Sequence, residues 1–151
     1  MPSAPPPAAP APLGDEEFAA LAGFRLALRT YLRFSELAAE KAGLTGQQYQ
    51  AMLVVRSVAD AERMTINELA RQLLIKHNSA VGLVDRLVEQ GLLARRAAAD
   101  DRRKVRLQLT ARGLRVLNGL VDTHREELLR SGAALRRLMS RAARLRRGDA
   151  V

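Results

Sequence analysis

The chain has 151 residues, which fits one domain of ordinary size, and 48% of them are hydrophobic although only three are Phe and two are Tyr. A core of Leu, Val, Ala and Met suits packed helices better than a β-sandwich or a barrel. The net charge of +9 favours a polyanionic partner, either nucleic acid or an anionic membrane. The absence of cysteine excludes disulfides, thiol redox sensing and cysteine-ligated zinc.

The N-terminal stretch 1–14 holds all six prolines and predicts a disordered or extended tail. It lacks the basic and apolar regions of a signal peptide. No segment reaches about 18 consecutive apolar residues, so no transmembrane helix is expected. We therefore expect a cytoplasmic protein that has no membrane partner.

A long amphipathic helix is predicted from Asp15 to about Lys41, with Gly43 ending it. Its apolar or small side chains recur at spacings of three and four: Leu21, Phe24, Leu28, Tyr31, Ser35 and Ala38. The segment Thr45–Gln48 has the pattern of a capping box, which opens a second helix. The buried side of that helix is expected to comprise Tyr49, Met52, Val55 and Val58.

Two more helices are predicted next. The segment Thr65–Glu68 is another capping-box pattern and opens a short helix through about Leu73. The following helix is expected from about His77 to Gln90, and Gly91 suits the left-handed conformation that often ends a helix. Its inner side is expected to consist of Val81, Val84, Leu87 and Val88.

A change of period after Gly91 indicates a β-hairpin. Val105, Leu107 and Leu109 alternate with polar residues, as in a half-buried strand. Residues 92–96 are the expected antiparallel partner, and residues 98–101 form the tip between them. This is the one β signal in the sequence.

Two C-terminal helices are predicted after the hairpin, with Thr110 capping the first and Ser131-Gly132 separating them. Their stripes are Leu114, Leu117, Val121, His124 and Leu128, and then Leu135, Leu138, Ala142 and Leu145. The element order gives a mainly α fold with a small β-hairpin wing: a winged helix-turn-helix domain plus a helical dimerisation region. The stripes of the outer helices need a partner, because a small winged helix domain does not bury them alone.

The helix beginning near His77 is the expected recognition helix, since its first turns would face the major groove. Asn can read adenine, and Ser or His can reach phosphates or base edges. Small Ala80 and Gly82 are expected to let the helix lie close to the duplex. The alternative for Asn78 or Ser79 is that it only caps the helix. The candidate contacts are Lys76, His77, Asn78, Ser79, Gly82 and Arg86.

The hairpin region is the most basic part of the chain. Residues 91–115 contain eight basic and two acidic residues, so they supply +6 of the net charge. A basic hairpin tip beside a recognition helix favours DNA binding, because a narrow minor groove attracts an inserted Arg. The candidate wing residues are Arg95, Arg96, Asp101, Arg102, Arg103 and Lys104.

The segment DRRKVRLQLTARG, residues 101–113, resembles the wing signature of the multiple-antibiotic-resistance-regulator (MarR) family. Segments in the same order resemble the family's second, third and recognition helices: Leu44-Thr45 with Gln48-Tyr49 and Met52, Thr65 with Glu68-Leu69-Ala70, and Val84–Leu87 with Gly91-Leu92. The resemblance implies a DNA-binding transcription regulator, typically a repressor. It also implies a homodimer on a pseudo-palindromic operator.

Several residue roles follow from this resemblance alone. Arg103 matches the wing residue that enters the minor groove, Asp101 matches the carboxylate that holds it, and Arg102 is an adjacent candidate. Members of the family often bind small aromatic or phenolic effectors between their dimer and DNA lobes. Candidate ligand residues are Tyr31, Tyr49, Met52 and Arg56, although Tyr49 and Met52 also suit a plain core. His124 is expected to be a satisfied core or interface residue.

The domain boundaries that follow are a tail at 1–14, a dimerisation helix at 15–43, a DNA-binding domain at 44–112 and dimerisation helices at 113–147. No enzyme signature, cofactor motif or metal-ligand spacing is present, so we expect no catalysis, cofactor or metal. The competing classes are a non-specific architectural DNA- or RNA-binding protein and an interaction module that has lost DNA binding. The wing arginines argue against the latter.

Overall fold

The computed structural model describes residues 14–58, 64–98 and 105–145. Its elements, in chain order, are α1 Asp15–Lys41, α2 Gly46–Ser57, α3 Ile66–Leu73, α4 His77–Glu89, β1 Leu93–Ala97, β2 Val105–Leu109 and α5 Ala111–Leu145. The predicted mainly α fold with a β-hairpin is confirmed. The proline-rich tail up to residue 13 and the hairpin tip from residue 99 to 104 lie outside the described residues.

Glycine ends α1 and α4 in the same way. Gly43 has φ of +76° and Gly91 has φ of +67°, a conformation that side chains with a Cβ rarely adopt. The N–H of Gly43 donates to the Glu40 carbonyl at 2.9 Å, and the N–H of Gly91 donates to the Val88 carbonyl at 2.9 Å. In each case the next residue also bonds back into the last turn. Both predicted helix ends are therefore confirmed.

The two predicted capping boxes differ. At α2 the box is complete, since the Gln48 N–H donates to Thr45 Oγ1 at 3.1 Å and the Thr45 N–H donates to Gln48 Oε1 at 2.9 Å. At α3 only the Thr65 half forms. The Glu68 carboxylate instead accepts from Arg71 and Gln72. The charge-assisted bond from Arg71 is stronger than the bond that the carboxylate would accept from the Thr65 backbone N–H.

The core lies where α2, α3 and α4 pack against the hairpin base and the first half of α5. On α4 the predicted Val84 and Leu87 are buried, but Val81 and Val88 are only half-buried. Ala80 and Leu83 complete the buried face instead. Successive residues of an α-helix are rotated by 100°, so these four side chains form one stripe. The stripe includes the predicted Val84 and Leu87 and is rotated away from Val81 and Val88.

The C-terminal region is one helix, α5, and the predicted break at Ser131-Gly132 is wrong. The Ser131 hydroxyl donates to the Glu127 carboxylate one turn earlier, which occupies the side chain without disturbing the backbone ladder. A glycine inside a helix costs about 1 kcal/mol relative to alanine, which is too little to break a helix of this length. A membrane span is not found among the described helices, since none of them is both long and apolar enough.

Candidate nucleic-acid interface

The first turn of α4 forms an exposed polar surface. Lys76 is the N-cap residue, and its side chain makes no capping hydrogen bond. His77, Asn78 and Ser79 follow inside the helix, and all four residues are exposed. Because Asn78 and Ser79 lie beyond the N-cap, the alternative that one of them caps α4 is wrong. Their side chains are available for contacts outside the chain.

The face of α4 opposite the core carries Asn78, Gly82 and Arg86, spaced by four residues each. A Cβ at Gly82 would meet the Arg86 guanidinium at 3.7 Å, an ordinary contact, so the Arg86 side chain extends back along the helix. Ala80 does not belong to this face. It is completely buried against the core, so its small size serves internal packing and not an approach to DNA.

The turn between α3 and α4 is strained at Leu74. This residue has φ of +55°, and it is the one described non-glycine residue with positive φ. Its side chain is 92% exposed. The Leu74 N–H donates to the Arg71 carbonyl at 3.3 Å and the Ile75 N–H donates to the Ala70 carbonyl at 3.0 Å, which closes α3 tightly before α4 begins. The tight turn fixes the angle between the two helices.

The hairpin is anchored directly to α4. Its strands are antiparallel, as predicted, and their register pairs Leu93 with Leu109 and Ala97 with Val105. Arg95 Nη2 lies 2.6 Å from Asp85 Oδ1, so an ion pair joins β1 to the outward side of α4. Arg96, the next residue, is exposed. The remaining wing candidates, Asp101, Arg102, Arg103 and Lys104, lie outside the described residues.

The base of the hairpin is locked to the start of α5 by Thr110 and Gly113. The Thr110 hydroxyl donates to the Gly91 carbonyl at 2.7 Å and accepts from the Gly113 N–H at 2.9 Å. The Thr110 N–H donates to the Leu92 carbonyl at 3.1 Å. A Cβ at Gly113 would lie only 2.0 Å from that carbonyl oxygen. The Leu-Thr-x-x-Gly spacing therefore has a physical cause, which is the close approach of α5 to the end of α4.

Sequence reasoning missed two residues that position this surface. The sequence presents Asp85 only as part of a motif, and its opposite charge to Arg95 is the signal that could have revealed the ion pair. Gln48, which is buried, donates through Nε2 to Gln90 Oε1 at 3.3 Å and so ties the start of α2 to the end of α4. No sequence spacing links these two glutamines, because they are 42 residues apart.

The predicted ligand residues do not share one site. Tyr31 and Tyr49 line a cleft of about 610 Å³ between α1 and the start of α2. Met52 is completely buried in the core, and Arg56 lines a separate groove of about 310 Å³ beside β2. The cleft also carries Glu36 and Glu40, and its described lining includes no Lys or Arg.

His124 lies behind the cleft and is buried, as expected for a satisfied core residue. Its Nδ1 is 2.6 Å from the Leu120 carbonyl, which only accepts, so Nδ1 carries the proton. Its Nε2 lies 2.8 Å from the Ser35 hydroxyl, so both ring nitrogens have a hydrogen-bond partner. The Tyr49 ring stacks on the imidazole at 4.3 Å, and burial raises the pKa of Tyr49 to about 12.

The Tyr31 pKa is also raised, first by burial and then by the negative charge of Glu127. Both tyrosines in the cleft are consequently neutral phenols at physiological pH. Within the described ranges, no group of three or more His, Asp or Glu residues is arranged to hold a metal ion.

Comparisons with known proteins agree with this geometry. The family model described as "MarR family" matches residues 42–104. Over 73 residues the chain is 33% identical to the HTH-type transcriptional regulator FarR of Neisseria gonorrhoeae, covering 48% of each chain. The chain spans about half the length of the curated relatives that it matches.

Solved structures share the fold over most of the chain. AbsC, a MarR family transcriptional regulator from Streptomyces coelicolor, superposes with a TM-score of 0.69 and 21% identity, covering 83% of this chain and 84% of AbsC. A point mutant of S. aureus MepR bound to an oligodeoxyribonucleotide superposes with a TM-score of 0.61 and 19% identity, covering 82% of this chain and 96% of MepR.

The family match spans the helix-turn-helix and the first strand of the wing, and it includes the motifs of the second, third and recognition helices. The fold likeness extends over α1 and α5 as well. Taken with the winged helix geometry, these matches show that residues 42–104 are similar to the MarR family and that the chain has the fold of its solved structures.

Proposed function

We propose that this chain binds duplex DNA as a homodimer and regulates transcription. The observation that carries the proposal is the exposed first turn of α4 beside a basic hairpin, held in place by the Asp85–Arg95 ion pair. A winged helix places such a turn in the major groove and its wing beside the minor groove. MepR, which has the same fold, is bound to an oligodeoxyribonucleotide in its structure.

The roles proposed for single residues follow this placement. Asn78 and Ser79, with His77, contact base edges, while Lys76 and Arg86 contact phosphates. Asn is suited to a bidentate bond with adenine, and Lys and Arg neutralise phosphates regardless of sequence. For the wing we propose that Arg103 enters the minor groove and that Asp101 orients it.

Homodimerisation is proposed from the exposed apolar side chains of the outer helices. On α1, Leu21, Leu28 and Leu32 are exposed together with Phe18, and on α5 the side chain of Leu129 is 75% exposed. A contiguous apolar stripe of this length is unusual on a monomer and is typical of a subunit interface. Two-fold symmetry then requires a pseudo-palindromic operator with half-sites about one helical turn apart. We propose repression as the mode of regulation.

An effector is proposed for the cleft beside Tyr31 and Tyr49. Two phenol rings suit an aromatic ligand, but Glu36 and Glu40 disfavour a phenolic anion. We therefore favour a neutral or cationic aromatic molecule, whose binding between α1 and α2 would move the DNA-binding domains and release the operator. Release of bound DNA by such molecules, lost on Tyr49→Ala, is the expected result. If no aromatic molecule, whatever its charge, released the bound DNA, the proposed effector site would be contradicted.

The proposed function is tested by selecting bound fragments from random duplex DNA. We expect a short pseudo-palindrome, with one symmetric base position losing its preference in Asn78→Ala. Recovery of fragments without a common sequence would support the architectural protein instead. A failure to retain any fragment would support an interaction module, and either outcome contradicts the proposal.

A further inference from the structure

A second concave surface lies on a different face of α1 from the tyrosine cleft. It is a groove of about 550 Å³ along the seam between α1 and α5. Leu37, Val116 and Leu120 give it an aliphatic wall, and small Ala38 and Gly119 leave it open. A Cβ built at Gly119 meets no atom within 4 Å, so this glycine faces empty space.

The charges of the groove are concentrated at one end. Lys41 and Arg115 lie where α1 ends and α5 begins, while Phe34 and Thr123 lie at the other end. The helical rise from Phe34 to Lys41 corresponds to about 10 Å. Within the described part of the chain, neither cation forms an ion pair or hydrogen bond, and the Thr123 hydroxyl is already bonded to the Gly119 carbonyl.

We propose that this groove binds an amphipathic monocarboxylate, with its carboxylate between Lys41 and Arg115 and its unbranched apolar chain along the seam. The chain would cover the aliphatic wall that now faces solvent, which is favourable because apolar area is removed from water. The head group would find two cations that have no partner among the described residues. Between its two ends the described lining is aliphatic, so the hydroxyl groups of a more polar ligand would lose their bonds to water.

Charge separates this groove from the tyrosine cleft. Among the described lining residues, the cleft carries Glu36 and Glu40 and no cation, whereas the groove carries two cations and no carboxylate. A carboxylate ligand is therefore attracted by one concavity and repelled by the other. The inference goes beyond the proposed function, since it concerns binding to the protein without DNA.

The test compares octanoate, octanamide and octylamine, three ligands with similar apolar chains and different charge. Titration calorimetry of the full chain, below the concentrations at which the ligands aggregate, should rank octanoate tightest and octylamine weakest. Gly119→Leu should weaken octanoate binding at least tenfold because the new side chain fills the groove. Gly132→Leu, the matched change elsewhere on α5, meets only the flexible end of Arg136 and should bind as the unsubstituted chain does.

Charge variants provide an independent test of ligand binding if Gly119→Leu folds poorly. Lys41→Glu and Arg115→Glu should each weaken octanoate roughly fivefold, the scale of one solvent-exposed ion pair, and leave octanamide unchanged. Arg125→Glu, on the side of α5 that faces away from the groove, is the control and should have little effect. Equal affinity for the three ligands, or unchanged octanoate binding in Gly119→Leu, would overturn the proposal.

A second copy of the chain is the competing occupant of the groove. If Gly119→Leu turns a dimer into a monomer in sedimentation, the groove is a subunit contact and the proposal is wrong. Failure of the DNA selection would not affect these ligand measurements, so the two proposals can fail separately.

Discussion

Replacing Gly113 by alanine should destabilise the fold through one backbone contact. The new Cβ would lie 2.0 Å from the Leu92 carbonyl oxygen and 2.9 Å from its carbon, distances that real Cβ atoms do not reach. The Leu92 backbone cannot easily move away from the new Cβ, because its N–H donates to the Leu87 carbonyl and its carbonyl accepts from the Thr110 N–H. Such overpacking costs about 3 kcal/mol. The expected fall in Tm is about 6–12 °C for a chain of this length.

Gly119→Ala is the matched control on the same helix. Its Cβ meets nothing within 4 Å, so the change should raise stability by up to about 1 kcal/mol through helix propensity alone. Thermal unfolding of both variants should be followed by circular dichroism at one protein concentration, because the proposed dimerisation would make Tm depend on concentration. A Gly113→Ala variant with an unchanged or higher Tm would refute the proposed close approach of α5 to Leu92.

Four further predictions concern the turn, the wing and the recognition helix. Leu74→Gly should stabilise the fold by about 1 kcal/mol, because it relieves a left-handed leucine that is almost fully exposed, and an unchanged urea midpoint would contradict this. Asp85→Ala should weaken operator binding although it removes a negative charge, because the ion pair to β1 positions the wing; tighter binding would show that only net charge matters. Asn78→Ala should cost roughly 1–3 kcal/mol at one symmetric base position in a competition assay, and an unchanged base preference would exclude it as a base contact. Arg103→Ala should weaken binding and reduce the salt slope by about 1 per subunit, while Asp101→Ala should also weaken it; tighter binding by the latter would contradict a positioning role.

Local signals in the sequence predicted the element order well. Gly43 and Gly91 end helices with positive φ, and Thr45 caps α2, because each of these depends on neighbouring residues alone. The alternation around Leu107 predicted β2 for the same reason. Patterns of this kind depend on backbone geometry and on one buried face, and both can be recognised from a short stretch of sequence.

Features that depend on tertiary packing were predicted less well. Ser131-Gly132 has the composition of a turn, but a side-chain bond to Glu127 and the length of α5 keep it helical. The small size of Ala80 favours a DNA-facing position in the sequence, although in the structure it is the core that requires a small residue there. Arg56 is expected to share a ligand site with the tyrosines, yet it lines another groove.

Hydroxyl-radical footprinting on a selected operator tests sequence-specific binding by a dimeric winged helix most directly. We expect two protected patches related by two-fold symmetry, about one helical turn apart, with additional protection of the flanking minor grooves by the wings. Arg103→Ala should lose the flanking protection and keep the central patches. Uniform protection along the duplex, or a single asymmetric patch, would contradict sequence-specific binding by a two-fold dimer.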